Sequence, residues 1–245
     1  MSTVAIVTGA ARGIGRACAL ELAKRGSDLV LADIRLADDT ARAVEALGRQ
    51  AIALECDVAD RDACARVVEQ AVARFGRVDI LLNNAAFGER CAFIDASEAT
   101  ARRTMEVIFW GTFHLTQFAA RQMVKQGEGG AIVSISSVHA SRPYANASLY
   151  NAAKAAVNHF TASIANELAS HRIRVNAVEP GWIDTPGERE KFGDKFVDEG
   201  GAALPWGRLG QPEEIGRVVA FLASSDASYI TGTVVRSDGG YVLAH

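Results

Sequence analysis

Tyr150 and Lys154 stand four residues apart in a stretch rich in Ala and Val that reads as the start of a helix. Four residues advance the chain by ~400° around a helix, so the two side chains share a face. A phenol with a pKa of ~10 is a poor base at neutral pH, and a cation beside it favours the phenolate. The spacing therefore suits general acid–base work on a hydroxyl or carbonyl. Ser137, thirteen residues earlier at the end of a buried apolar run, can come to the same place and hydrogen-bond that oxygen. Singly, each fits ordinary structural employment: a satisfied core tyrosine, a solvated lysine, a serine at a strand end. A second constellation changes the balance. Thr8-Gly9-Ala10-Ala11-Arg12-Gly13-Ile14-Gly15 closes the first apolar run and opens a helix. Glycines allow a tight turn and close backbone approach to a pyrophosphate, and the helix N-terminus offers unpaired N–H groups. The spacing differs from G-x-G-x-x-G, and a Gly-Lys-Ser/Thr phosphate loop is missing, so a dinucleotide fits best.

Asp33 lies eighteen positions after Gly15, where a carboxylate accepts from an adenosine ribose and repels a 2′-phosphate. That favours NAD. Arg12 and Arg35 are near enough to neutralise such a phosphate, which keeps NADP open.

The elements that position these residues are β-branched runs alternating with helical patterns. Strands are expected at Val4–Thr8, Asp28–Asp33, Ala51–Asp57, Val78–Asn83, Ala131–Ser137, Arg174–Glu179 and Val234–Val235. About six helices are expected, over 14–25, 38–48, 61–75, 97–126, 148–171 and 212–224. This predicts an α/β fold, a doubly wound, Rossmann-like domain spanning 1–245 with seven strands in a parallel sheet and helices on both faces. Polar or Gly residues gather at the strands' carboxyl ends, which is where open α/β sheets bind ligands. The least regular stretch, 181–211, is Gly- and Pro-rich and reads as a mobile flap.

Composition narrows the class. Hydrophobic residues at 49% and charged residues at 22% exclude disorder, and 29 acidic against 26 basic residues leave a net charge of −3 with no basic run, so no nucleic-acid partner is expected. The first apolar run is far short of the ~18 residues of a membrane helix, and no membrane association is expected. Cys18, Cys56, Cys64 and Cys91 lack metal or redox spacing, which predicts reduced thiols, no metal site and a cytoplasmic location.

The set Thr8-Gly9-x3-Gly13-Ile14-Gly15, Asp57-Val58, Asn83-Asn84-Ala85, Ser137, Tyr150-x3-Lys154 and Pro180-Gly181 resembles the short-chain dehydrogenase/reductase family and spans nearly the whole chain. The resemblance implies strand order 3-2-1-4-5-6-7, hydride transfer between NAD(P) and an alcohol or carbonyl, and a homotetramer. It implies that Ser137, Tyr150 and Lys154 are catalytic. It also implies that Asp57 and Val58 hold the adenine, Asn84 lines the cofactor cleft, Ile183 and Thr185 after Pro180-Gly181 hold the nicotinamide side, and Lys154 binds the ribose. The family's usual Asn three residues before a helical Gly is here Ile108, ahead of Gly111, which removes a side chain that helps hold a relay water. Its backbone carbonyl can still hold one. Ala86 replaces a common Gly.

Substrate information lies in the rim loops. His139, Asn146, Trp182 and Arg189 are candidate substrate contacts, with Glu89 and Arg90 after the fourth strand, and this polar lining suits a sugar or polyol. The segment from Glu179 to Arg189 resembles glucose 1-dehydrogenase-like members. Two alternatives stay open: a 3-oxoacyl thioester or other ketone reductase, and an NAD(H)-binding sensor or scaffold with weak catalysis.

Overall fold

The computed structural model describes residues 2–243. The strands are β1 (Val4–Thr8), β2 (Asp28–Asp33), β3 (Ala51–Glu55), β4 (Ile80–Asn83), β5 (Gly130–Ile135), β6 (Ile173–Pro180) and β7 (Val234–Ser237), all parallel, in the order β3-β2-β1-β4-β5-β6-β7. Central β1 is buried along its whole length, and Val7 registers with Leu31 on one side and Leu82 on the other. Its alternate side chains enter two cores. Val4 and Ile6 join a layer with helices α3 (Arg61–Phe75), α5 (Gly111–Gln126) and part of α6 (Ser148–Leu168). Ala5 and Val7 join another with α1 (Gly13–Lys24), α2 (Asp38–Ala46) and α9 (Pro212–Ala223). Burial on both faces explains why the strands read as continuous apolar runs and not as alternating ones. Among the described residues no helix is long and apolar enough to cross a membrane.

The expected seven-stranded, doubly wound arrangement is the one found, with differences in detail. Cys56-Asp57 and Ser136-Ser137 lie just past their strands, in the rim loops. The segment expected as a single helix over 97–126 is α4 (Glu98–Met105), a π-helical turn (Glu106–Trp110) and α5. The flap is not irregular throughout: α7 (Pro186–Phe192) and α8 (Asp194–Ala202) lie inside it, giving nine α-helices among the described residues against about six expected. Helix α7 forms because Thr185 accepts from the Glu188 N–H and Pro186 stands where a helix needs no donor. Gly193, at φ 79°, then breaks it from α8.

Candidate active site

The Gly-rich turn is closed on itself. A methyl group at Gly15 would sit 2.0 Å from the Gly9 carbonyl oxygen and 2.6 Å from Asn84 Nδ2, so α1 can pack against the turn only with glycine there. Gly9 and Gly13 adopt left-handed φ of 63° and 57°. Asn84 pins the turn by donating to the Thr8 and Gly9 carbonyls at 2.9 and 3.1 Å, and the Thr8 hydroxyl accepts from the Asn84 and Ala85 N–H groups. Arg12 at the α1 N-cap makes no side-chain cap, and the first turn carries no acid, which leaves the N-terminal N–H groups and the positive dipole end for an anion. The residues present therefore fit a dinucleotide pyrophosphate.

At the end of β2, Asp33 accepts from the Ala11 N–H at 3.0 Å and the Arg35 N–H at 3.1 Å, which fixes its carboxylate beside the turn. Asp57 is held by Arg103 of α4 at 2.8 Å and by the Ala59 N–H. Val58 lies against Gly111, where a methyl would come within 2.6 Å of its Cγ2. Across the cleft, the Thr185 methyl is 3.5 Å from where a Gly13 side chain would begin, and Ile183 forms an isolated bridge with Gly210. Gly181 approaches Asp238 closely, after Pro180 at the end of β6. Arg12 reaches over the cleft to Glu190 of α7 with two bonds of 2.6 and 2.7 Å.

The structure brings Ser137, Tyr150 and Lys154 together beside this turn. Ser137 is buried and hydrogen-bonds to the Tyr150 hydroxyl. Lys154, only 2% exposed, donates from Nζ to the Ile135 carbonyl at 2.6 Å, with Nζ 5.6 Å from the Tyr150 ring centroid. The electrostatics differ from the sequence expectation that the lysine lowers the tyrosine. Burial pushes Tyr150 up to about 12, against the opposing pull of Ser137, with Glu188 adding to the rise and Arg90 opposing it. Burial also brings Lys154 down to about 7, so its own charge is only partly present at neutral pH. Burial thus favours the protonated phenol of Tyr150 in this geometry.

Ile108 lies in the π turn, 1% exposed, and packs with Ala153, Val157, Met105 and Tyr150. Its carbonyl accepts the Thr112 hydroxyl at 2.7 Å. His139 bonds through Nδ1 to Asn151 Oδ1 at 2.7 Å and meets the Tyr150 ring edge-on, and burial lowers its pKa. Asn146 is exposed at the rim, with a left-handed φ of 60° and its carbonyl accepting from the Cys91 N–H. Trp182 donates to Glu188 at 2.9 Å and packs on Phe196 of α8. Arg189 binds Asp184, Asp194 and Asp198, so its guanidinium ties the flap helices together. Asn151, Arg103 and Lys191 join the site without a sequence signal, since each acts through a partner set by the fold.

A family model described as enoyl-(acyl carrier protein) reductase matches residues 9–242. The chain belongs to the short-chain dehydrogenase/reductase family. Among short-chain dehydrogenase/reductase structures, that of an acetoin dehydrogenase from Enterobacter cloacae is 43% identical, covers 100% of this chain and 98% of its own, and superposes with a TM-score of 0.91. The cis-4-hydroxycyclohexanecarboxylate dehydrogenase of Sinomonas cyclohexanicum is 42% identical over 97% of this chain and 96% of its own length. An L-rhamnose 1-dehydrogenase (NAD(P)(+)) of a Sphingomonas strain is 39% identical over 96% and 94%.

Proposed function

We propose that this short-chain dehydrogenase/reductase is an NAD-dependent enzyme that interconverts a secondary alcohol and its carbonyl on a small hydroxylated molecule of sugar or polyol type. The convergence of Ser137 and Lys154 on Tyr150 beside the Gly9–Gly15 turn carries this reading. A nicotinamide dinucleotide, when bound, supplies hydride acceptance or donation. Gly9, Arg12, Gly13, Ile14, Gly15, Asp33, Asp57, Val58, Asn84, Pro180, Gly181, Ile183 and Thr185 would hold it, with Tyr150 and Lys154 at its reactive end. The Ser137 hydroxyl orients the substrate oxygen, and Tyr150 Oη gives that oxygen a proton in reduction and takes one in oxidation. Because Tyr150 holds its proton strongly, oxidation quickens as pH rises.

NAD is favoured over NADP because Asp33 stands at the end of β2 and Arg12, one of the two cations close enough in sequence to neutralise a 2′-phosphate, is engaged by Glu190. His139, Asn146 and Trp182 are the side chains best placed for substrate, with Arg189 shaping the flap over residues 181–211. The whole chain, 1–245, works as one catalytic unit. The relatives named for activity on acetoin, a hydroxy acid and a sugar support a small alcohol substrate. The family model's description favours a second reading, an acyl carrier-linked substrate. A homotetramer is supported by the aromatic patch of Phe109, Trp110, Phe113 and Phe160, whose Trp110 is 46% exposed. The four free thiols suit a reducing cytoplasm.

The test is NAD(H)-linked turnover on alcohols, polyols, sugars and ketones by wild type and Tyr150→Phe. The variant is expected to lose about two orders of magnitude or more in kcat while binding NADH as before. Near-wild-type turnover by the Phe variant removes Tyr150 from the mechanism, and NADH binding without turnover on any substrate supports a sensor instead.

A further inference from the structure

The loop after β4 and helix α7 face one another across the mouth of the cleft, and each contributes a cation. The Arg90 guanidinium carbon lies 5.1 Å from the centroid of the Phe192 ring, and Lys191 Nζ lies 5.6 Å from the same centroid. Lys191 also donates to the Gly88 carbonyl at 3.3 Å. Gly88 in turn rests on the catalytic ring, since a methyl there would come within 2.9 Å of Tyr150 Cδ2. The two cations are thus tied, through Phe192 and Gly88, to the wall of the Tyr150 site. Arg90 is close enough to bias both Tyr150 and His139 toward their deprotonated forms.

The state of these charges sets them apart from the other cations of the cleft. Arg12 is matched by Glu190, and Arg189 by Asp184, Asp194 and Asp198. Among the described residues, neither Arg90 nor Lys191 has a carboxylate within ion-pair distance. The acid that shares Tyr150's surroundings, Glu188, accepts from the Trp182 indole and forms no ion pair, so two cations face one anion. An aromatic face steadies a guanidinium without occupying its in-plane donors, which remain able to grip a carboxylate in bidentate fashion.

We infer that Arg90 and Lys191 form a carboxylate-binding subsite, and that the preferred substrate is a small hydroxy acid, or its oxo acid, whose carboxylate sits a short carbon frame away from the reacting carbon. The inference rests on the oxidoreductase reading above and narrows its substrate class. A carrier-linked thioester reaches a site on a long arm, so its acidic carrier meets cations remote from the reacting carbon, whereas Arg90 lies within electrostatic reach of the Tyr150 hydroxyl.

Two measurements test the subsite. In the first, 3-hydroxybutanoate, gluconate and 4-hydroxycyclohexanecarboxylate are each compared with their primary amides as substrates, for wild type, Arg90→Gln and Arg90→Lys. The expected result is an acid-over-amide preference of at least tenfold in kcat/KM, carried by KM. Arg90→Gln should reduce that preference at least tenfold, and Arg90→Lys should recover part of it. In the second, cyclohexanecarboxylate and its amide are titrated calorimetrically into the NADH complex. The acid should bind more tightly, and Arg90→Gln should weaken it at least tenfold, a loss of about 1.4 kcal/mol.

Equal handling of acids and amides, turnover confined to neutral alcohols, or an acid preference that survives Arg90→Gln overturns the subsite and leaves the oxidoreductase reading standing. Arg90-dependent loss seen only with a carrier-linked thioester overturns it in favour of carrier docking. Arg90-dependent binding of cyclohexanecarboxylate without turnover of any alcohol keeps the subsite and removes the oxidoreductase reading.

Discussion

Replacing Ile108 with asparagine separates two accounts of the same position. If the site lacks only a polar group that holds a relay water, Ile108→Asn adds it and turnover stays level or rises. The packing points the other way. Ile108 is 1% exposed and sits among Met105, Tyr150, Ala153 and Val157, with its carbonyl already taken by the Thr112 hydroxyl. Removing the buried side chain forfeits about 1.5–3 kcal/mol of apolar burial. An amide left without partners among those residues costs about 1–3 kcal/mol more. A central loss of about 4 kcal/mol, at about 2–4 °C per kcal/mol for a chain of this size, lowers Tm by about 8–16 °C. Ile108→Val, which leaves the site apolar, should cost about 0.5–1.5 kcal/mol. Thermal melts paired with steady-state turnover decide the matter. An Asn variant that melts within about 2 °C of wild type and turns over at least as fast would refute the packing argument, since the amide must then have found polar partners.

Lys154 has a folded-state pKa of about 7 against its ordinary 10.5, so between those values the folded chain binds fewer protons than the unfolded one, and stability rises with pH through the window and is flat below it. The Tm of wild type relative to Lys154→Met should therefore climb between pH 7 and pH 9.5, below the range in which Tyr150 acts in the opposite sense, and a pH-independent difference speaks against a neutral buried lysine. Asp33→Ala should weaken NAD and shift preference toward NADP, and Glu190→Gln, by releasing Arg12, should strengthen NADP more than NAD. Comparing kcat/KM for both cofactors checks each, and a wild type that already prefers NADPH contradicts the assignment. Gly15→Ala drives a methyl into the Gly9 carbonyl at 2.0 Å, so NADH fluorescence titration should show binding weakened by at least tenfold; unchanged affinity would mean that the turn does not hold the dinucleotide.

The sheet and the Gly-rich turn were legible in the sequence because their physical demands are local. A strand covered on both faces must be apolar throughout, and a turn folded onto its own carbonyl leaves no room for a side chain. The same locality explains the flap. Thr185, Pro186 and Glu188 form a helix-start signal that can be read directly, but it is embedded in a glycine-rich stretch whose overall composition suggests a loop. Helical spacing placed Tyr150 and Lys154 on one face, yet gave no indication of depth, and it is depth that raises the tyrosine and lowers the lysine. Arg90 could be placed on the rim, but its meeting with Lys191 was farther out of reach. They are about a hundred positions apart and meet only because the β4 loop and α7 close on Phe192.

The π turn at Glu106–Trp110 fixes how the two helices on either side of it are aimed. Such a turn holds one residue more than an α-helix of the same rise, so the segments on either side are rotated against each other by about 100°. Helix α4 is thereby aimed at α6, while α5 faces α3 across the other part of the layer. Deleting any one residue of the turn would restore a regular helix and swing the whole of one segment's buried face toward solvent. With the apolar stripes of both halves set to the offset, packing on either side holds the extra residue in place.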